Sequence, residues 1–274
     1  VNNTRKITSA MKMVASAKLH KAQAAIESML PYERRLHHIL TDFMSNCTEV
    51  TSPFIVKREV KKVAVVVFAS NTSLCGGFNA NVIRHLVDLL AEYKPLGLEN
   101  ILVFPVGKKV ADAVRKLGFR IEGDFQHMAD KPSYQEAADL AADLMKRFLH
   151  GDVDKVELLY NHFKSTASQI LTRETYLPID LNNEKKEEER TIDYILEPSA
   201  EELMQEMLPK VLRMKMFTVL LDSNAAEHAA RTMAMQIATD NANELLQELT
   251  VMYNKSRQQS ITNELLDIVG GSMA

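Results

Sequence analysis

Three patterns of apolar positions follow one another along the chain, and each predicts a different kind of element. In the first arm Ile7, Met11, Ala15, Ala22, Ile26 and Met29 recur at three- and four-residue steps. That spacing predicts a helix from about residue 4 to beyond residue 40. In the middle, short β-branched runs alternate with amphipathic stretches. Residues 63–68 (VAVVVF) and 101–106 (ILVFPV) are continuously apolar, the pattern of strands buried on both faces. Helical spacing appears at 79–93, with Val82, Leu86, Leu89 and Leu90 on one face, and again at 110–117 and 133–149. Further strands are expected at 119–122, 156–163, 169–179 and 191–196. At the end, Ala226, Ala230, Met233, Ile237, Leu245, Leu249 and Met252 form a stripe within residues 210–269, which contain neither glycine nor proline. If wholly helical, that stretch spans on the order of 90 Å. A helix of this length projects from any domain the chain can form, and its stripe needs a partner. Residues 1–30 also lack both breakers and supply the candidate.

Punctuation residues divide the chain in the same way. All nine glycines fall between Gly76 and Gly151 or at Gly270 and Gly271. Pro31 is expected to break, kink or restart the first arm, and 48–53 read as a linker. Ser133 with Glu136, and Ser199 with Glu202, have the spacing of capping boxes at helix starts. Pro209 is expected to kink the first turns of the second arm, and Gly270-Gly271 to end it. Asn241 interrupts the predicted stripe as a polar residue that sets register. Alanines at 10, 15, 17, 22, 24 and 25 let a second helix axis approach closely. Residues 184–190 (EKKEEER) read as a solvated loop. The expected fold class is α/β: a long antiparallel coiled coil of N- and C-terminal helices plus a central Rossmann-like α/β domain. The expected boundaries are 1–55 for the first arm, 60–197 for the domain and 199–274 for the second arm.

Composition narrows the function classes. The chain of 274 residues is 46% hydrophobic and 25% charged, with 14 methionines, no tryptophan and a net charge of −3. That balance fits aliphatic helix packing and offers nothing to nucleic acid. Residues 1–30 carry Arg5, Lys6, Lys12, Lys18 and Lys21 against Glu27, whereas residues 199–274 hold ten acids and six bases. A basic helix beside an acidic one suits an antiparallel pair, and solvated faces account for the same charges equally well. Cys47 and Cys75 belong to no CxxC or His-rich group, so neither a disulfide framework nor a zinc site is expected. The histidines are scattered apart from His37-His38, which read as surface residues. LCGGFN at 74–79 follows the first strand, where a phosphate loop lies in nucleotide-binding folds, but it fits neither GxGxxG nor GxxxxGK[ST]. A tight strand-to-helix turn is the expectation there. With no GxSxG or HExxH either, the chain reads as non-catalytic, without metal or cofactor. Residues 253–262 form a polar belt between Leu249 and the apolar block Ile261, Leu265, Leu266 and Ile268. Such a belt on a projecting helix serves either solvation or a surrounding partner.

Three motifs carry a resemblance to a known family. ITSAMKMVASAKLHKAQ (7–23), SLCGGFNANV (73–82) and YNKSRQQSITNELLDIVGG (253–271) resemble the γ subunit of F-type ATP synthases, in that family's order and across essentially the whole chain. The resemblance implies a central-stalk rotor that performs no bond chemistry. Its coiled coil would stand inside the ring of α and β subunits, coupling proton flow to ATP synthesis or hydrolysis at β. Its domain would lie near the ε subunit and the c-subunit ring, peripheral to the cytoplasmic face of a bacterial inner membrane. The residues matching the family's contacts with the α/β ring are Met11, Lys12, Arg231, Arg257, Gln258 and Thr262. The chain departs from the family in having SNTS at 70–73, where a Ser-Asp-(Arg/Lys)-Gly turn is usual. It also starts some twenty residues later than the family usually does. Two rival readings are a small-molecule α/β enzyme with helical extensions and a static coiled-coil scaffold.

Overall fold

The computed structural model describes residues 1–46, 52–179 and 200–272. The predicted strand at 191–196, the charged loop at 184–190 and Ser199 of the second capping box lie outside them, as do Cys47 and the side chains of His37 and His38. Two helices dominate: α1 (Asn2–Asn46) and α6 (Ala200–Ser272). Between them come β1 (Val63–Phe68), α2 (Phe78–Tyr93), β2 (Ile101–Val106), α3 (Lys108–Leu117), β3 (Arg120–Ile121), α4 (Gln126–Asp130), α5 (Tyr134–His150), β4 (Lys155–Ser165) and β5 (Ser168–Leu177). Among the described residues the sheet order is β3-β2-β1-β4-β5, with β1 parallel to β2 and β4, β2 parallel to β3, and β5 antiparallel to β4.

The two-sided burial read from the valine run is what the sheet requires. β1 is central, and its alternate side chains serve two cores. Val63, Val65 and Val67 pack with Val82, Leu86, Val110 and Val114 of α2 and α3. Ala64, Val66 and Phe68 pack with Leu144 and Phe148 of α5 and with Leu208, Leu212, Met216 and Leu220 of α6. The start of α6 is therefore part of the domain core as well as the start of the shaft. Each leucine fully buried there contributes roughly 1.5–3 kcal/mol.

Several boundaries depart from expectation. Both helices continue through their internal prolines, Pro31 and Pro209. Proline forfeits one backbone hydrogen bond, and the flanking turns hold the helix. α6 also runs past Gly270-Gly271 to Ser272, because glycine costs about 1 kcal/mol in a helix without stopping it. Ser133 has extended N-cap geometry but its side chain makes no capping hydrogen bond. Glu136, expected to reach back to Ser133, lies instead with Oε1 3.0 Å from His127 Nδ1.

The largest correction concerns the second arm's stripe. Of the predicted positions, Ala226 is buried, but Met233, Ile237, Leu245, Leu249 and Met252 are exposed. The side of α6 turned to α1 is one residue out of phase: Ala225 and Ala229 pack on Leu19 and Ala22, and Met235 and Ala242 are buried further along. Among the described side chains of α1, Ala15, Leu19 and Ala22 are buried, while Ile7 is exposed. The helices run antiparallel, with the Thr8 and Thr239 hydroxyl oxygens 2.8 Å apart and Arg5 Nη1 donating to Asn243 Oδ1 at 3.3 Å. Asn241, assigned to the seam by the predicted stripe, is exposed.

Candidate functional site: the shaft and its seat

In an open sheet with this strand order, ligands bind outside the carboxyl ends of the strands, where the order reverses. Here that point lies between β1 and β4, and protein fills it. Ala226 of α6 packs against Cys75 of the β1–α2 connection and Phe78 at the start of α2, with Phe163 of β4 alongside. The connection's polar groups are also committed. The Ser70 N–H donates to Asn79 Oδ1 at 3.1 Å, and Asn79 Nδ2 donates to Ser70 Oγ at 2.8 Å. Asn71 accepts the Lys108 N–H at 2.8 Å and donates to the Gln126 carbonyl at 2.8 Å. Gly107 is held at φ +114°, and an added Cβ would meet the Ala69 carbonyl oxygen at 2.2 Å, so the β2–α3 turn admits no side chain. The glycines of LCGGFN make a turn, as expected, and the crevice seats a helix.

The seat is polar as well as apolar, and it is concentrated on one short segment of α6. Asp222 Oδ1 accepts the Phe163 N–H at 2.8 Å, while Oδ2 lies 2.7 Å from His162 Nδ1. Asn224 Nδ2 donates to the Ala129 carbonyl at 2.9 Å. Arg231 donates to the Ser73 carbonyl at 2.5 Å and to Glu227 Oε1 at 2.6 Å. The Arg231 and Glu227 side chains are only 12% and 10% exposed. Burial raises the Glu227 carboxyl above its ordinary range, with Arg231 opposing the shift. Next to it, burial pushes His228 down to about 4, helped by the Lys18 and Arg231 cations, and its Nδ1 has no hydrogen-bond partner. His228 is therefore neutral at physiological pH.

The six residues matched by family resemblance fall into three settings. Met11 and Lys12 are half-buried on α1. Arg231 is committed within the chain, to Ser73 of the β1–α2 connection and to Glu227. Arg257, Gln258 and Thr262 are exposed on α6 beyond the stretch paired with α1, and the Thr262 hydroxyl donates to the Gln258 carbonyl at 2.9 Å. The apolar residues around them are exposed too, among them Met252, Tyr253, Ile261, Leu265, Leu266 and Ile268. At ~100° per residue, the neighbours Met252-Tyr253 and Leu265-Leu266 point to different sides of the helix. A helix with apolar groups on several sides is built to be surrounded.

Sequence reasoning missed Asp222, Asn224 and Glu227. Their only signal was polarity inside a run otherwise rich in alanine and aliphatics. Elsewhere the perturbed groups are structural. Burial works to raise Glu157, but hydrogen bonds from Arg173, Lys155 and Tyr93 outweigh it and hold it below the ordinary range. All three partners lie within 3 Å. An open recess of about 460 Å³ beside α4 and α5 is rimmed by Asp124, Glu136, Asp139 and Asp143 over Phe125, Met128 and Leu140. Among the described residues no group of three His, Cys, Asp or Glu is placed to hold a metal ion. Nor is any helix long and apolar enough to cross a membrane.

Known proteins match this chain over its full length in sequence, and over most or all of it in fold. The ATP synthase family model matches residues 1–274. The ATP synthase gamma chain of Phocaeicola vulgatus is 81% identical over 276 residues, covering 100% of this chain and 96% of that one. The gamma chain of Bacteroides fragilis is 64% identical, with coverage of 100% and 96%. The fold is also that of the central stalk of Tetrahymena thermophila mitochondrial ATP synthase, at 23% identity and TM-score 0.58, covering 85% of this chain and 99% of that one. A chain of the Euglena gracilis mitochondrial enzyme gives TM-score 0.54 at 20% identity, with coverage of 100% and 95%. A helical shaft seated where a Rossmann-like sheet otherwise holds its ligand, with matches of this extent, means that the chain belongs to the ATP synthase gamma-chain family.

Proposed function

We propose that this chain turns as the central shaft of a rotary ATP synthase, with the upper part of α6 as the surface on which the α/β ring bears. The observation that carries this reading is the segment beyond Asn243, where apolar side chains lie exposed on several sides of the helix around the polar residues Arg257, Gln258 and Thr262. A static scaffold needs only one stripe, whereas a shaft read in turn by surrounding subunits needs a contact on each side. The filled crevice counts against the small-molecule enzyme, since it leaves a ligand no place at the topological switch point.

In this reading Met11 and Lys12 meet β from α1, and Arg257, Gln258 and Thr262 meet β loops higher on the shaft. None performs bond chemistry; they pass the shaft's angular position to the catalytic subunits. The domain lies towards the ε subunit and the c ring, so the chain is peripheral to the membrane through its complex, on the cytoplasmic face of a bacterial inner membrane.

The test is reconstitution with α and β subunits, comparing the native chain with an Arg257→Glu, Gln258→Glu variant. The variant is expected to assemble and to lose coupled ATP turnover by about tenfold, corresponding to ~1.4 kcal/mol at the contact. Native turnover in the variant complex removes these residues from the coupling surface. Failure of the native chain to bind the α/β hexamer overturns the shaft reading itself.

A further inference from the structure

We infer that Asp222, Asn224 and Arg231 form a polar collar that locks the shaft in rotation against the α/β domain, so that torque passes between them without slip. The inference rests on the shaft reading above and assigns the positioning residues that this reading requires.

The geometry is that of a three-point fixation. Asp222 and Asn224 are two residues apart, so they leave the helix ~200° apart around its axis. One grips the end of β4 through the Phe163 N–H and His162. The other grips α4 through the Ala129 carbonyl. Arg231 sits seven residues above Asn224, about two turns higher on nearly the same side, and holds the Ser73 carbonyl of the β1–α2 connection. Two anchors on opposite flanks oppose rotation of the helix in its seat, and a third at another height opposes tilt.

Apolar packing anchors α6 lower down, through Leu208, Leu212, Met216 and Leu220 in the domain core, and is slighter at the collar itself. Ala225, Ala226 and Ala229 bury the same segment against α1 and the domain, but small smooth side chains allow close approach and resist sliding only weakly. Hydrogen bonds are directional and weaken steeply when their angle is lost. Glu227 supports the highest anchor: its carboxylate fixes Arg231 from one turn below in a site only a tenth exposed. The anchors reach three separate parts of the domain, so load entering through the domain is shared across the sheet.

The experiment uses the assembled enzyme in sealed vesicles, measuring ATP hydrolysis and proton pumping on the same preparation. The starting point is a native complex that pumps; without pumping there, the shaft reading fails before the collar is tested. An Asp222→Ala, Arg231→Ala variant is expected to retain most of its hydrolysis while protons moved per ATP fall by roughly threefold against an imposed gradient. Arg231→Lys, which keeps charge but loses the planar fork, is expected to fall in between. If the double variant does not assemble, Arg231→Lys and Asp222→Asn carry the same comparison singly. An unchanged ratio of pumping to hydrolysis in a variant that assembles overturns the proposal, because simple destabilisation lowers both rates together.

Discussion

The lower and upper parts of α6 are one continuous helix made of similar residues, yet they live in different surroundings. Below Ala242, Met204, Leu208, Leu212, Met216 and Leu220 are buried against the sheet and α5. Above it, Leu249, Met252, Ile261, Leu265 and Ile268 are exposed. The same side-chain chemistry therefore does two jobs. In the lower part it stabilises the chain's own fold, and in the upper part it is available to other subunits. Between Leu220 and Ala242 lies the collar of Asp222, Asn224 and Arg231, whose polar side chains we propose hold an angle as well as a position.

The most forceful way to break this comparison is to truncate one leucine in each part. Leu212→Ala is expected to cost ~2–5 kcal/mol, since it leaves a cavity in a packed core. Leu265→Ala, 57% exposed in the native chain, is expected to stay within about 0.5 kcal/mol. Urea unfolding of the full chain measures both, and equal losses would erase the distinction.

Acid sharpens the same boundary. In the folded chain His228 sits at about 4, below its ordinary 6.5. As pH falls through 6.5 the unfolded chain takes up a proton that the folded one refuses, so stability declines down to about pH 4 and this contribution then levels off. His228→Leu is expected to flatten that part of the curve, read as the urea midpoint at pH 7.5 and pH 4.5. An unaltered slope assigns the acid sensitivity to other groups.

The smallest effect on stability is expected at the exposed end. Met252→Lys, at a side chain 64% exposed, is expected to leave the unfolding midpoint in place while reducing self-association of the isolated chain in sedimentation velocity. A loss of stability there would mean that the upper helix is held by its own chain.

Much of this was legible in the residue pattern, for reasons that can be located. The strands at 63–68 and 101–106 coincide with β1 and β2 because a β-branched run buried on both faces has few alternatives. The C-terminal motif that resembles the γ subunit stood out in the sequence, and its Arg257, Gln258 and Thr262 are exposed on α6. Arg231 stood in the same set by resemblance, but its guanidinium is spent on Ser73 and Glu227. A single sequence does not reveal a partner 158 residues away.

What the sequence by itself determined is local: element type, the length of the shaft, and the lack of any phosphate-binding or nucleophile motif. Each follows from periodicity and from residues close along the chain. Only the tertiary structure decided which side of α6 faces inward. Apolar residues lie on several sides of that helix, so no single stripe stands out, and the choice falls to whatever packs against it. Leu19 and Ala22 from α1, Cys75 from the β1–α2 connection and Phe78 at the start of α2 make that choice from 148 residues or more away. The same long-range packing filled the ligand crevice with a helix and turned Asp222, Asn224 and Arg231 into anchors.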